Sequence, residues 1–156
     1  MNYIMELRKL VGSRPLIMVG ACVLVFNDER YLLLQKRTDS LDWGVIGGAM
    51  ELDESLEEAA ARELFEETGL KARAYKFIAI HSGADMYYKY PHGDEIYNVT
   101  AVYEAIEVEG TPIINDDEGI ELRYFSLEEP IPNMNSFTEV LLNKLGYKMT
   151  TLTPRG

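Results

Sequence analysis

One cysteine, two histidines, one tryptophan and a shortage of basic residues bound what this chain of 156 residues can do. Cys22 has no partner for an internal disulfide and, lying inside an apolar run, reads as a small buried hydrophobe. Of the histidines, His92 falls in a turn and reads as solvated, while His81 reads as a strand-end residue near the presumed cleft. Fifteen basic residues against 26 acidic ones leave a net charge of −11. That balance excludes a broad electrostatic surface for nucleic acid, although a bound metal ion would reverse the sign locally and admit small phosphorylated ligands. No apolar stretch is long enough to span a membrane, and the first ten residues, which hold Glu6, Arg8 and Lys9, do not read as a signal peptide. The expected location is therefore the cytoplasm. Repeats, low-complexity segments and linkers are also missing, so residues 1–156 are expected to make one domain around one core.

What the chain has in excess is carboxylate, concentrated in residues 47–70, GGAMELDESLEEAAARELFEETGL. Ser55 with Glu58 forms a capping-box pattern and Gly69 a helix stop, so a helix is expected between them. Glu63, Glu66 and Glu67 then share an arc of about 100° on one face, with Ala60, Ala61, Leu64 and Phe65 on the adjoining arc to dock on a sheet. Each like-charged pair costs an isolated helix roughly 0.2–0.5 kcal/mol, so something positive belongs among them. Arg62 can neutralise one carboxylate, with Glu54 or a neighbour as partner, but one guanidinium does not offset the cluster. Several hard oxygen donors suit Mg²⁺, or Mn²⁺, with water and phosphate completing the shell. Gly47 and Gly48 allow the main chain to come close to a metal or phosphate.

The flanking sequence supplies a framework. Residues 2–11 carry a helical apolar spacing, and this helix is expected either to cover the domain or to meet a second copy of the chain in a homodimer. The run 16–26 reads as a central strand with Gly20 at a bend or bulge, and residues 31–37 as its hairpin partner. Lys36 and Arg37 end that strand, where they are candidates to contact substrate phosphate. A strand over 72–80 and a second hairpin, 85–90 with 95–108 about Pro91-His92-Gly93-Asp94, follow. An acidic loop over 111–119 leads to a short strand over 120–126. Ser136 is expected to cap a last helix that runs to Leu145, and residues 147–156 to form a frayed tail.

The box in residues 48–70 resembles the Nudix hydrolase family. Gly48, Glu54, Arg62, Glu63, Leu64, Glu66, Glu67, Gly69 and Leu70 meet its nine constraints without a miss. Average residue usage would satisfy them on the order of once in 10⁹ start positions. Ile46 departs from the family pattern, where proline often precedes the glycine pair.

This resemblance implies an α+β Nudix fold, a mixed sheet sandwiched between helices, and Mg²⁺-dependent hydrolysis of a nucleoside diphosphate linked to a nucleotide, sugar or phosphate. Glu63, Glu66 and Glu67 would hold the metal, joined in some members by the carbonyl at Gly47, with Glu54 and Arg62 orienting the ligand carboxylates. Family members often add a downstream acid, for which Glu118 and Glu121 are candidates, and the residue that takes the proton from water stays open among Glu66, Glu67 and these two. Tyr87 and Tyr88 fall where dinucleoside polyphosphate hydrolases carry a tyrosine. The proline of ADP-ribose hydrolases is absent, Asp85 and Met86 standing in its place, and neither the coenzyme A nor the NADH signature is found. The partner is expected to be a small nucleotide, without a membrane. Nucleoside triphosphate clean-up and non-hydrolytic nucleotide sensing are the alternatives, the latter disfavoured because every box glutamate is kept.

Overall fold

The run that begins at Leu16 lacks polar alternation because both of its faces are covered. In the computed structural model, which describes residues 2–149, it forms β1 (Leu16–Leu24). Ala21 and Val23 face a core shared with Ala59, Ala60 and Leu64 of α2 (Leu56–Thr68). Cys22 and Leu24 face a second core shared with Leu141 and Leu142 of α3 (Ser136–Lys144). A strand buried on both sides reads as one continuous hydrophobic segment.

β1 pairs antiparallel with β3 (Trp43–Ala49) and parallel with β6 (Glu95–Glu109). β2 (Leu32–Arg37), β4 (Lys71–His81) and β7 (Gly119–Phe125) complete a sheet ordered β4-β6-β1-β3-β2-β7, with β5 (Tyr87–Lys89) also on β6. A mixed sheet between helices is the expected α+β architecture. No helix among the described residues is long and apolar enough to cross a membrane.

Four expectations need correction. The turn after β1 closes with one bridge, Phe26 to Leu32, and β2 then pairs with β3 and β7 instead of β1. Both edges of β1 are already taken by β3 and β6, so no ladder position remains for β2. Gly20 marks no bulge, since pairing runs through it to Ala49 and Thr100 in unbroken register. A Cβ at Gly20 would strike the Gly48 carbonyl, so this glycine serves a close approach of two strands. Asn135, and not Ser136, caps α3, accepting from the Thr138 N–H at 3.3 Å. Its own N–H donates to the Trp43 carbonyl at 2.7 Å, which fixes it at the helix mouth. Finally, the expected tail is held at its start, because Met149 is buried and its N–H donates to Asn143 Oδ1 at 2.7 Å. Residues 150–156 lie outside the described residues.

α1 (Tyr3–Val11) forms as expected and covers the domain. Its buried Arg8 donates to the carbonyls of Gly12 (3.0 Å), Arg14 (2.5 Å) and Glu95 (2.6 Å), which satisfies the helix end and ties it to the start of β6.

Candidate active site

Both capping-box bonds at the start of α2 are present: the Glu58 N–H donates to Ser55 Oγ at 3.0 Å, and the Ser55 N–H to Glu58 Oε1 at 3.0 Å. Gly69 ends the helix in the left-handed region at φ 73°, where glycine has no Cβ penalty. The face that docks on the sheet is Ala59, Ala60 and Leu64 together with Glu63, Glu67 and Thr68. Phe65, expected on the apolar arc, is exposed. The burial stripe is rotated toward the carboxylates, because Gly48 in the strand beneath has no side chain where Glu63 stands.

Those glycines lie in β3, which continues through the buried Ile46 to Ala49. The Gly47 N–H donates to Glu67 Oε2 at 3.0 Å, and Glu67 is only 1% exposed. A Cβ on Gly48 would overlap the Glu63 carboxylate. Gly48 therefore leaves room for Glu63 on the strand backbone, while Gly47, where a Cβ would strike Ala21 and Cys22 of β1, holds Glu67 through its N–H.

Arg62 holds the remaining charge. Its Nε donates to Glu54 Oε2 at 2.6 Å and its Nη2 to Glu54 Oε1 at 2.9 Å. Nη1 reaches Glu63 Oε1 at 2.9 Å and Glu66 Oε2 at 3.1 Å, and Nη2 also donates to the Ala49 carbonyl at 2.9 Å. Glu54 Oε1 accepts the Glu51 N–H at 2.9 Å as well, so the loop ahead of the helix is closed on the same group. Hydrogen bonding from Arg62 holds Glu54 below the usual carboxylate range. Burial pushes Glu63 up to about 7 despite Arg62, and lifts Glu67 well above its ordinary value, with Glu63 adding to the effect. Glu67 thus has no cation beside it among the described residues, and Glu63 shares Arg62 with Glu54 and Glu66, an under-compensated arrangement that suits a hard cation. Among the described residues no three such groups stand in a ready-made ligating arrangement. Arg62 draws Glu63 and Glu66 toward itself while Glu67 is held by Gly47.

Removing Arg62 should be costly. Arg62→Ala leaves Glu54 and Glu63, both mostly buried, without their partner. The expected loss lies between the ~1 kcal/mol of an exposed pair and the ~3–5 kcal/mol of a broken buried one. A melting curve unchanged from the parent would refute this account.

The acidic cluster opens into a cleft of about 460 Å³, whose lining includes Glu63, Glu66, Arg37, Glu118 and Tyr90. Arg37 is gripped by Asp39, Nε to Oδ1 and Nη2 to Oδ2, both at 3.0 Å. Burial, reinforced by Asp116, raises the Glu118 carboxyl above its ordinary pKa. A second chamber of about 90 Å³ adjoins the cleft and shares Arg37 and Tyr90 with it, reaching inward to Tyr88 and Asn135. Asn135 Nδ2 donates to the Tyr88 hydroxyl at 3.1 Å.

Of the residues singled out from the sequence, the structure brings together Glu54, Arg62, Glu63, Glu66, Glu67, Gly47, Arg37 and Glu118, with Tyr88 in the inner chamber. Glu54 and Glu67 stand behind the linings and join them through Arg62 and Gly47, whereas Lys36, Tyr87 and Glu121 are not part of either lining. A register shift between Lys36 and Arg37 separates the two basic residues, Tyr87 donates to Glu95, and Glu121 pairs with Arg123 at 2.6 Å. His81 is also outside the cleft, and its buried Nε2 has no hydrogen-bond partner among the described residues. Sequence reasoning missed Tyr90 and Asp39, which line the cleft, and His92, exposed in its turn as expected, lines it too. Tyr90 shares strand parity with Tyr88, a signal that was there to be used.

The NUDIX domain profile matches residues 16–145, and the chain belongs to the Nudix family. A putative 8-oxo-dGTP diphosphatase of Bacillus subtilis (strain 168) is 44% identical over 62 residues, 40% of this chain and 42% of the relative. Phosphatase NudJ of Escherichia coli (strain K12) is 42% identical over 62 residues, 39% of this chain and 40% of the relative. The matched regions thus span about two fifths of each curated relative. Over the fold, the crystal structure of a MutT NUDIX hydrolase from Burkholderia pseudomallei superposes with a TM-score of 0.67 at 25% identity, covering 83% of this chain and 97% of that one.

Proposed function

We propose that this protein is a pyrophosphohydrolase of nucleoside diphosphate derivatives that depends on a divalent cation, Mg²⁺ with Mn²⁺ as a substitute. The observation that carries the reading is the cluster of buried, under-compensated carboxylates laid over Gly47 and Gly48 at the floor of a cleft with Arg37 in its wall. Glu63, Glu66 and Glu67, with the Gly47 carbonyl, would hold the cation, which supplies neutralisation of phosphate charge and a more acidic attacking water.

The chain's own groups have separable tasks. Arg62 and Glu54 keep the carboxylates of α2 aligned and the preceding loop closed. Arg37, with Nε and Nη2 committed to Asp39, offers Nη1 to a phosphate oxygen. Glu118 is the acid we assign to accept the proton of water, because it lines the cleft while Glu121 is engaged by Arg123 outside it.

Nucleoside triphosphates are the favoured substrates within this class, in keeping with the 8-oxo-dGTP diphosphatase name of the Bacillus relative. The dinucleoside polyphosphate reading has less support, since Tyr87 turns to Glu95 and only Tyr88 faces a chamber. The test is a panel of nucleoside triphosphates, nucleoside diphosphate sugars and dinucleoside polyphosphates incubated with protein and Mg²⁺, with products separated to locate the broken bond. Cleavage between phosphates is expected. Tight binding without turnover across the panel would replace the enzyme by a nucleotide sensor.

A further inference from the structure

We propose that α1 and the turn between β5 and β6 together form the binding site for the flat aromatic end of the substrate, a nucleobase. The proposal rests on the reading of the acidic end of the cleft as the diphosphate site. Residues ahead of position 16 lie outside the match to the family, yet Asn2, Ile4, Met5 and Arg8 line the same cleft as Glu63 and Arg62.

α1 is fastened at both of its ends. The Tyr3 N–H donates to Glu51 Oε1 at 2.8 Å, beside the loop closed on Glu54. Arg8 donates to the Glu95 carbonyl at 2.6 Å and stands 3.5 Å from Asp94. Asp94 is also 3.5 Å from His92 Nδ1, so a single carboxylate joins the helix to the turn. The turn carries a ready surface for a ring. Tyr90 and His92 both line the cleft, and their rings lie stacked with centroids 5.4 Å apart and planes 7° from parallel.

Charge and size decide which part of the substrate belongs here. The guanidinium of Arg8 is spent on three carbonyls and Asp94, so none of the α1 residues described in this lining offers a free cation to a phosphate. Ile4 and Met5 add apolar surface, and Met5 is 54% exposed. The cleft, at about 460 Å³, lies within the roughly 300–1,000 Å³ range of whole-ligand pockets, while the inner chamber that adjoins it holds about 90 Å³. A nucleobase is therefore accommodated on the open side of the cleft, against His92 and Tyr90 with the thioether and aliphatic groups of α1 beside it.

The test uses ligands that are not cleaved. Adenosine and guanosine α,β-methylene diphosphates, with methylenediphosphonate as a base-free control, are titrated calorimetrically into the full chain in Mg²⁺. Binding of both nucleotide analogues to the parent is required. His92→Ala, an exposed position, should weaken them roughly tenfold while leaving the control within about twofold. Ile4→Ala with Met5→Ala should weaken the nucleotides in the same selective way, with circular dichroism spectra like the parent's. Equal loss for nucleotides and control, or no loss for nucleotides in either variant, overturns the proposal. Because binding is read without turnover, the two ideas fail separately. A parent that binds the analogues but cleaves nothing sinks only the enzymatic reading, and an active parent whose analogue binding is unchanged by these substitutions sinks only this one.

Discussion

Glu67→Gln is expected to fold as the parent does and to turn over at least about 10²-fold more slowly at saturating Mg²⁺. Glu67 is almost fully buried, so negative charge on its carboxylate is little screened by solvent. Glutamine keeps the volume, and its amide oxygen can still accept the Gly47 N–H. What it removes is the negative charge. Burial and the nearby Glu63 already lift the Glu67 carboxyl well above its ordinary pKa, so the ionised form is held at a cost in the absence of a cation. The variant should accordingly melt no lower than the parent in chelator. Near-normal turnover would remove Glu67 from the metal site, whereas a collapse of the melting temperature would assign it a structural role instead.

Millimolar Mg²⁺ should raise the melting temperature of the parent by roughly 5–10 °C. A single site occupied at about 100 times its dissociation constant stabilises the native state by about 2.7 kcal/mol. For a domain of this size each kcal/mol moves the midpoint by about 2–4 °C. The cation binds the folded chain preferentially because only there do Glu63 and Glu67 lie buried beside each other, with Glu66 on the same helix. Mn²⁺ should reach the same shift at lower concentration, following the usual affinity order. The control is Glu63→Gln with Glu66→Gln, which should lose most of the shift. Melting curves that overlay in chelator and in metal would deprive the carboxylate cluster of its assigned ion.

Local features were legible in the sequence wherever the cause was local. The capping box of Ser55 and Glu58, the left-handed Gly69 and the second hairpin all follow from neighbouring residues, and all are present. The acidic site was legible because its spacing lies within one helix. What escaped depends on distant partners. β2 could not be assigned its neighbours without knowing that β1 is occupied on both sides. The choice between Lys36 and Arg37 is made by a bulge whose cause lies in the pairing with β7. Asn135 takes the cap of α3 from Ser136 through its bond to Trp43, far earlier in the chain. The cleft-facing role of α1 depends on Arg8 meeting Glu95, and no periodicity within the helix encodes that contact.

The parallel pairing of β1 with β6 also has a bearing on how the chain reaches this state. Leu16 is opposite Ile96 and Leu24 opposite Glu104, so more than half of the sequence must be made before the most apolar strand finds one of its two neighbours. During synthesis β1 can meet β3 but not β6, which leaves one hydrogen-bonding edge of a strand apolar on both faces open to other nascent chains. Closing so long a loop makes folding slow relative to a domain of local contacts. Truncation ahead of β6 should therefore give aggregates and no soluble intermediate, and overexpression should be tolerated better at low temperature, where synthesis is slower and fewer unfinished chains meet.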